Sequence, residues 1–201
     1  MRWRAPRLWP GETCAIFGGG PSLTQAQVDA CRGLRTIAIN DAYRLAPWAD
    51  VLYFCDERWY KWHEAAVQDF VGLVVTMENY GLPGDIKHLH NMGRDGLYHE
   101  PDGLMTGRNS GIQAINLAVH FGVDRILLLG YDMRAVNGRT HWHEGRPAPA
   151  SHNVYQQAML PCFATLVEPL RKRGVEVINC TPSSALTTFR LESLESVLAP
   201  A

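Results

Sequence analysis

The sequence predicts a single α/β domain with a mostly parallel sheet and helices on both faces. Three observations carry that prediction. Short continuous apolar runs alternate with helical patterns along the chain. A Gly-Gly-Gly turn, Gly18 to Gly20, follows the first apolar run. Small and hydrogen-bonding residues recur just after one apolar run after another. Runs that are apolar throughout fit parallel strands covered by helices on both sides.

In order, "TCAIF" (13–17) reads as a strand ended by the glycines. Residues 23–31 have helix-forming composition, with Ser22 or Thr24 as cap. Residues 35–40 and 50–56 read as the second and third strands. Residues 57–70 form an amphipathic helix whose Trp59, Tyr60 and Trp62 suit packing. Residues 72–77 make a fourth strand. The 85–103 segment is irregular, rich in Gly and His, with room for one strand. Residues 109–122 form a helix with an Asn/Ser start and a Gly stop. The apolar 124–132 strand leads into a loop over 133–151. A loop that long in a compact domain is usually functional or disordered, and its histidines and Trp142 argue against disorder. Residues 152–174 read as a long helix kinked at Pro161 and stopped at Gly174. Arg171, Lys172 and Arg173 complement its dipole. A last strand over 175–182 and a terminal helix over 183–198 complete the domain, which runs from 13 to 198 behind an N-terminal arm, 1–12. No repeat, linker or low-complexity segment interrupts it.

Composition narrows the function classes. With 201 residues, 46% hydrophobic, the chain suits one ordinary core. A net charge of −1 and a pI near 6.7 argue against nucleic acid or an acidic membrane as the main partner. Cys14, Cys31, Cys55, Cys162 and Cys180 are scattered and form no C-x-x-C pair, which points to a reducing, cytoplasmic setting rather than a disulfide framework. The opening "MRWRAPRLWPG" lacks the apolar stretch of a secretory signal. The longest apolar runs fall far below the roughly 20 residues that cross a bilayer.

In an open parallel sheet, ligands bind beyond the carboxyl ends of the strands. The residues expected there are Gly18, Gly19, Gly20, Pro21 and Ser22 after the first strand, and Asn40 and Asp41 after the second. Cys55 and Asp56 follow the third. Asn109, Ser110 and Gly111 open the central helix. Asp132 follows the strand after that helix, and Thr181, Pro182 and Ser183 follow the last strand. Glycines without Cβ atoms let backbone N–H groups approach a ligand, and the helix start behind them favours an anion. A tight strand-to-helix turn with nothing bound reads the same way. The turn fits G-x-G, but Leu23 stands at the third glycine of a dinucleotide fingerprint, and no G-K-[ST] follows. Asn40 and Asp41 lie about 20 residues on, where ribose-binding acids sit in such folds. "TGRNSG" (106–111) caps a helix, or presents N–H groups to a phosphate or carboxylate with Arg108 beside them. "THWHEGRP" (140–147) places His141 and His143 on one face of an extended segment. They suit two metal ligands with His152 or Asp132 as a third, or one imidazole acting as general base. A solvated loop with Trp142 tucked onto the core is the remaining alternative.

"AIFGGGPSL", "IAIN", "DVLYFC", "NSGIQAINLAVHFGVDRILLLGYDM" and "VEVINCTPSSAL" occur in an order that resembles bacterial family 42 sialyltransferases. They also resemble a related group that includes motility accessory proteins and archaeal hydroxymethylpterin diphosphokinases. The "HWH" loop and the "VINCTPSSAL" ending resemble small phage and prophage members most. The resemblance spans about residues 13 to 190. It implies a single Rossmann-like domain, a nucleotide-sugar donor of CMP type, catalysis without metal, and a histidine that deprotonates the acceptor hydroxyl. It implies further that Gly19 and Gly20 face the phosphate and sugar, Asn40 contacts donor, Ser110 and Gly111 hold its phosphate or carboxylate, and Pro182 and Ser183 line the nucleoside pocket. His141, His143 and His152 compete for the role of base. The chain departs from the sialyltransferases in carrying Gly19 and Cys55 where they have donor-contacting asparagines, and in lacking an evident counterpart of the tyrosine pair that supports the leaving phosphate, though Tyr131 and Tyr155 are nearby. The function expected is nucleotide-dependent glycosyl transfer. The alternatives are a non-catalytic phage nucleotide-binding protein, a pyrophosphokinase-type phosphotransferase, and metal-assisted phosphoanhydride chemistry. A small nucleotide ligand is the expected partner, no metal is expected, and the acceptor and any homo-oligomer stay open.

Overall fold

A computed structural model describes residues 3–77, 81–144 and 154–199. Its centre is an eight-stranded sheet in the order β10-β9-β8-β1-β2-β3-β4-β5, every neighbouring pair parallel. The strands are β1 (Thr13–Phe17), β2 (Arg35–Ile39), β3 (Val51–Phe54), β4 (Leu73–Thr76), β5 (Lys87–His88), β8 (Arg125–Leu129), β9 (Glu176–Asn179) and β10 (Arg190–Leu191). A separate parallel pair joins β6 (His90–Asn91) to β7 (Gly103–Leu104). The chain is a mostly parallel, single Rossmann-like α/β domain.

Alternation along the strands builds two faces. Cys14, Ile16, Ile37, Ile39, Tyr53, Ile126 and Leu128 point into one core. That core is closed by α3 (Ser110–Phe121), α4 (Leu160–Ala164) and α5 (Val167–Arg173). Ala15, Phe17, Ala38, Leu127 and Leu129 point the other way, onto α1 (Gln25–Ala30) and α6 (Leu194–Leu198). Leu52 and Phe54 meet Trp59 and Tyr60 of α2 (Glu57–Gln68) on that same side of the strands. Each fully buried Leu, Ile or Phe contributes about 1.5–3 kcal/mol relative to an exposed one. The residues before β1 also join the core: Ala5 N–H donates to Pro101 O at 2.7 Å, and the Trp9 ring lies 4.5 Å from that of Phe121.

Local chemistry sets the element ends. Thr24, not Ser22, caps α1, in a capping box with Gln27. Asp56 caps α2, accepting from Arg58 N at 2.8 Å. Asn109 caps α3, accepting from Gly111 N at 2.6 Å, and left-handed Gly122 ends it.

Three predicted elements differ. The 85–103 segment holds β5, β6 and β7 rather than one strand. The long helix begins, within the described residues, as a π-helical turn over Tyr155–Met159, before α4 and α5. Pro161 has no N–H to give to Gln157 O, and Leu160 N–H instead reaches back five residues to Tyr155 O. The terminal helix starts at Leu194, not at 183. Its expected first turns are tied across the sheet: Ser184 Oγ donates to Tyr131 O at 2.6 Å, Ala185 N to Asp132 O at 2.9 Å, and Asn179 Nδ2 to Leu186 O at 2.9 Å. Serine hydroxyls that bond distant backbone compete with helix.

Candidate functional site

A cavity of about 250 Å³ opens beyond the carboxyl ends of β1, β2, β3 and β8. Each wall follows from a strand or helix terminus. Gly18, Gly19 and Gly20 leave β1, Asn40 and Asp41 leave β2, and Cys55 and Asp56 leave β3. Asn109, Ser110 and Gly111 open α3, and Asp132 follows β8. His141 and His143 close the cavity from the following loop. The glycine turn and the α3 start therefore share one cavity. Pro21, Ser22, Thr181, Pro182 and Ser183 do not line it. Ser22 and Thr181 stand behind it: Ser22 Oγ donates to Asp132 Oδ2 at 2.9 Å, and Thr181 Oγ1 accepts from Tyr131 N at 2.9 Å. Pro182 and Ser183 are exposed. His152 lies outside the described residues.

The three glycines are needed first for close packing. A Cβ on Gly18 would sit 2.7 Å from Gly130 O, and one on Gly20 would run into Asp132 Oδ2. The expectation of a bare turn holds for one amide only. Gly18 N donates to Leu129 O and Gly20 N to Gly130 O, both at 2.8 Å. Among the described residues, the Gly19 N–H alone of the three has no internal acceptor.

Backbone strain gathers here. Asn40 (φ +49), Arg108 (φ +52) and Met133 (φ +51) all line the cavity in the left-handed region that β-carbon sterics disfavour. Such residues cluster where a site holds a shape the chain would not choose. Buried polar atoms also stand without partners among the described residues: Asn40 Oδ1, Asp132 Oδ1 and Arg134 Nε. A buried polar group left unpaired costs about 1–3 kcal/mol. Burial pushes the Asp132 carboxyl up, against the hydrogen bonds from Ser22. Burial also holds Tyr131 well above the phenol range, so its hydroxyl stays neutral and donates to Gly111 O at 3.3 Å.

Asp41 is the most surrounded carboxylate in the site. Trp59 Nε1 donates to its Oδ2 at 2.9 Å. His143 Nε2 lies 3.5 Å from the same oxygen, and His63 Nε2 lies 3.5 Å from Oδ1. His63 Nδ1 meets the Tyr43 hydroxyl at 3.0 Å. His143 Nδ1 faces Glu144 O at 3.2 Å, so both its nitrogens are aimed at acceptors. That is the arrangement of an anchor for the loop. His141 differs: its Nδ1 meets the Thr140 hydroxyl at 2.9 Å, and its Cδ2 edge lies against Gly19.

The loop itself folds back through an Asn137-Gly138 turn. Both residues have positive φ, and Val136 and Arg139 exchange two backbone hydrogen bonds across it. Trp142 N then donates to Gly19 O at 3.2 Å, and the indole lies against the core beneath β1. The sequence signal for this turn was the Asn-Gly dipeptide. For Arg134 it was a position two residues past Asp132. For the meeting of His63 with Asp41 there was none. Among the described residues no group of three or more His, Cys, Asp or Glu side chains is placed to hold a metal ion. Cys14, Cys31, Cys162 and Cys180 are free thiols, and no helix among the described residues is long and apolar enough to cross a membrane.

No protein-family model, curated protein or solved structure matches the chain.

Proposed function

We propose that the chain transfers a group, a glycosyl unit first of all, from a nucleotide donor bound in this cavity. One observation carries the reading: backbone and guanidinium donors that folding leaves unused line one cavity together with an imidazole. The Gly19 N–H, the start of α3, Arg108 and Arg134 line the same cavity as His141. Donors held in place by the fold favour the charge that builds on a leaving phosphate, and cost no reorganisation during reaction. The phosphate of the donor lies against Gly19 and Ser110, with the Arg134 guanidinium completing its charge. The nucleoside lies toward Asn40, Asp41 and Asp56.

His141 is the base in this scheme, and His143 holds the loop to Asp41. The acceptor hydroxyl oxygen forms a bond to the anomeric carbon of the donor. The bond from that carbon to the phosphate oxygen breaks, and its electron pair leaves with the phosphate. The hydroxyl proton passes to the His141 imidazole. The pairing of β8 and β1 sets the Gly18–Gly20 turn, and the Asn137-Gly138 turn brings His141 back over it.

Calorimetry with CMP, UMP, GMP, ATP and their sugar conjugates tests the site. Binding of at least one at millimolar concentration or tighter is expected, and binding by none ends the reading. Release of nucleotide from a bound sugar conjugate, with water as acceptor, tests the chemistry. His141→Ala lowers that rate by about 100-fold or more. An unchanged rate would leave a binding protein without a base at this position.

A further inference from the structure

We propose that a second cavity, which shares Arg108 with the first as a lining residue, binds the acceptor, and that the acceptor carries an anionic group such as a carboxylate. The inference rests on the group-transfer reading of the first cavity. The second cavity has a volume of about 210 Å³ and lies between the loop that precedes α3 and the start of the long helix. Arg108 lines both cavities. It follows Gly107, and both residues are left-handed, with φ of +51° and +52°. The chain is thereby turned to place one guanidinium at the boundary.

The π-helical turn makes the second link. Tyr155 and Met159 line the first cavity, while Gln157 and Ala158 line the second. An ordinary helix places successive residues 100° apart; the wider turn splits its residues between two neighbouring spaces, and such turns recur at functional sites.

The polar groups of the second cavity sort into used and unused. Arg94 grips Asp95 with three contacts of 2.9 to 3.0 Å. That pairing holds the Asp95 carboxyl below its ordinary range and cancels both charges. Thr165 Oγ1 donates to Cys162 O at 2.6 Å and accepts from Gly96 N at 2.8 Å. Cys162 Sγ donates to Ala158 O at 3.2 Å, and burial pushes its thiol up, away from thiolate. Among the described residues, Arg108 and Gln157 keep side chains with no hydrogen-bonding partner. Two guanidinium groups against the single Asp95 carboxylate, which Arg108 also feels, leave the lining one net positive charge beside the exposed Gln157 amide, and that suits one compact anion with a hydroxyl nearby. An acceptor gripped there reaches across Arg108 toward the donor.

Amide and side-chain NMR on the full chain tests this, with CMP as the probe for the first cavity and D-glucuronate as the probe for the second. D-glucose is the neutral control. Glucuronate should shift the Gln157 side-chain amide and the Ala158 and Gly96 backbone amides, and glucose should not. Arg108→Asn, which tolerates positive φ, should weaken glucuronate by about tenfold or more. Gln157→Leu, at an exposed position, should weaken it less. Equal shifts from glucose, shifts confined to Gly19 and Ser110, or no shifts at millimolar glucuronate would each overturn the proposal. Failure of CMP to shift Gly19 or Ser110 would instead count against the first cavity, and reads independently of the glucuronate result.

Discussion

Helix α3 borders two buried polar regions that are finished differently. Along its flank the helix's own Gln113, Asn116 and His120 have their complements, while Asp102 Oδ1 in the facing segment stands unpartnered among the described residues. Gln113 Oε1 accepts from the Tyr53 hydroxyl at 3.0 Å and its Nε2 donates to Thr106 O at 2.8 Å. Asn116 Oδ1 takes Tyr98 N at 2.9 Å and Met105 N at 3.2 Å, and its Nδ2 donates to Tyr98 O. His120, kept neutral chiefly by burial, meets Gly103 O at 2.9 Å. At the start of the same helix lie strained backbone and unpaired buried atoms on Asn40, Asp132 and Arg134. The flank uses polarity to pin the 98–106 segment to the core. The open end keeps polarity that folding does not satisfy. Cost without structural return is what a binding site looks like when stability and recognition compete.

Substitutions at either region of α3 separate the two roles. On the closed side, Asn116→Leu orphans the Tyr98 and Met105 amides and the Tyr98 carbonyl. The expected loss is about 4 kcal/mol in urea unfolding, with nucleotide affinity of the folded protein unchanged. A loss below about 1 kcal/mol would mean that the flank is not a structural clasp. At the seam, Gly20→Ala forces its new methyl group onto Asp132 and Gly130 O. It should cost about 2 kcal/mol and also weaken nucleotide binding, because the turn and the cavity wall are one piece. On the open side, Arg134→Gln should leave unfolding within about 0.5 kcal/mol of the wild type. It should weaken nucleotide binding by about tenfold in calorimetry. A large stability loss with unchanged affinity would invert the assignment.

The smallest effect concerns Asp132. Its carboxyl titrates higher in the folded chain than in the unfolded one, because it is buried. Between those two values the folded state holds more protons. The contribution of this group is therefore fully present below the unfolded carboxyl range and falls away as pH rises through the folded value. Urea unfolding of wild type and Asp132→Asn at about pH 4 and about pH 7 should show wild type losing ground to the variant at the higher pH. The opposite slope would mean that Ser22 outweighs burial at this carboxylate.

What the sequence made legible follows from range. β1, β2, β3 and β8 are runs whose neighbours say enough, and Asn109 and Gly122 bound α3 by local rules. The glycine turn was legible as tight, but its partner, Gly130 to Asp132, lies more than 100 residues on. That distance concealed the use of two glycine amides within the fold. The extra turns expected after 183 failed for the same reason, since Ser184 answers to Tyr131 rather than to its helical neighbours. His63, Asp41 and His143 come from a helix, a strand end and a loop with no shared period. Their meeting depends on the order of the sheet, which apolar runs do not encode.

We propose that a phosphorylated nucleoside occupies the cavity at the strand ends with its phosphate at the start of α3. A crystal structure with a bound nucleotide from the calorimetry panel tests it most directly. Phosphate oxygens are expected within hydrogen-bonding distance of the Gly19 and Ser110 amides and the Arg134 guanidinium. A nucleotide seated elsewhere on the chain, or one bound here with its phosphate turned toward Asp41 and Asp56, would contradict it.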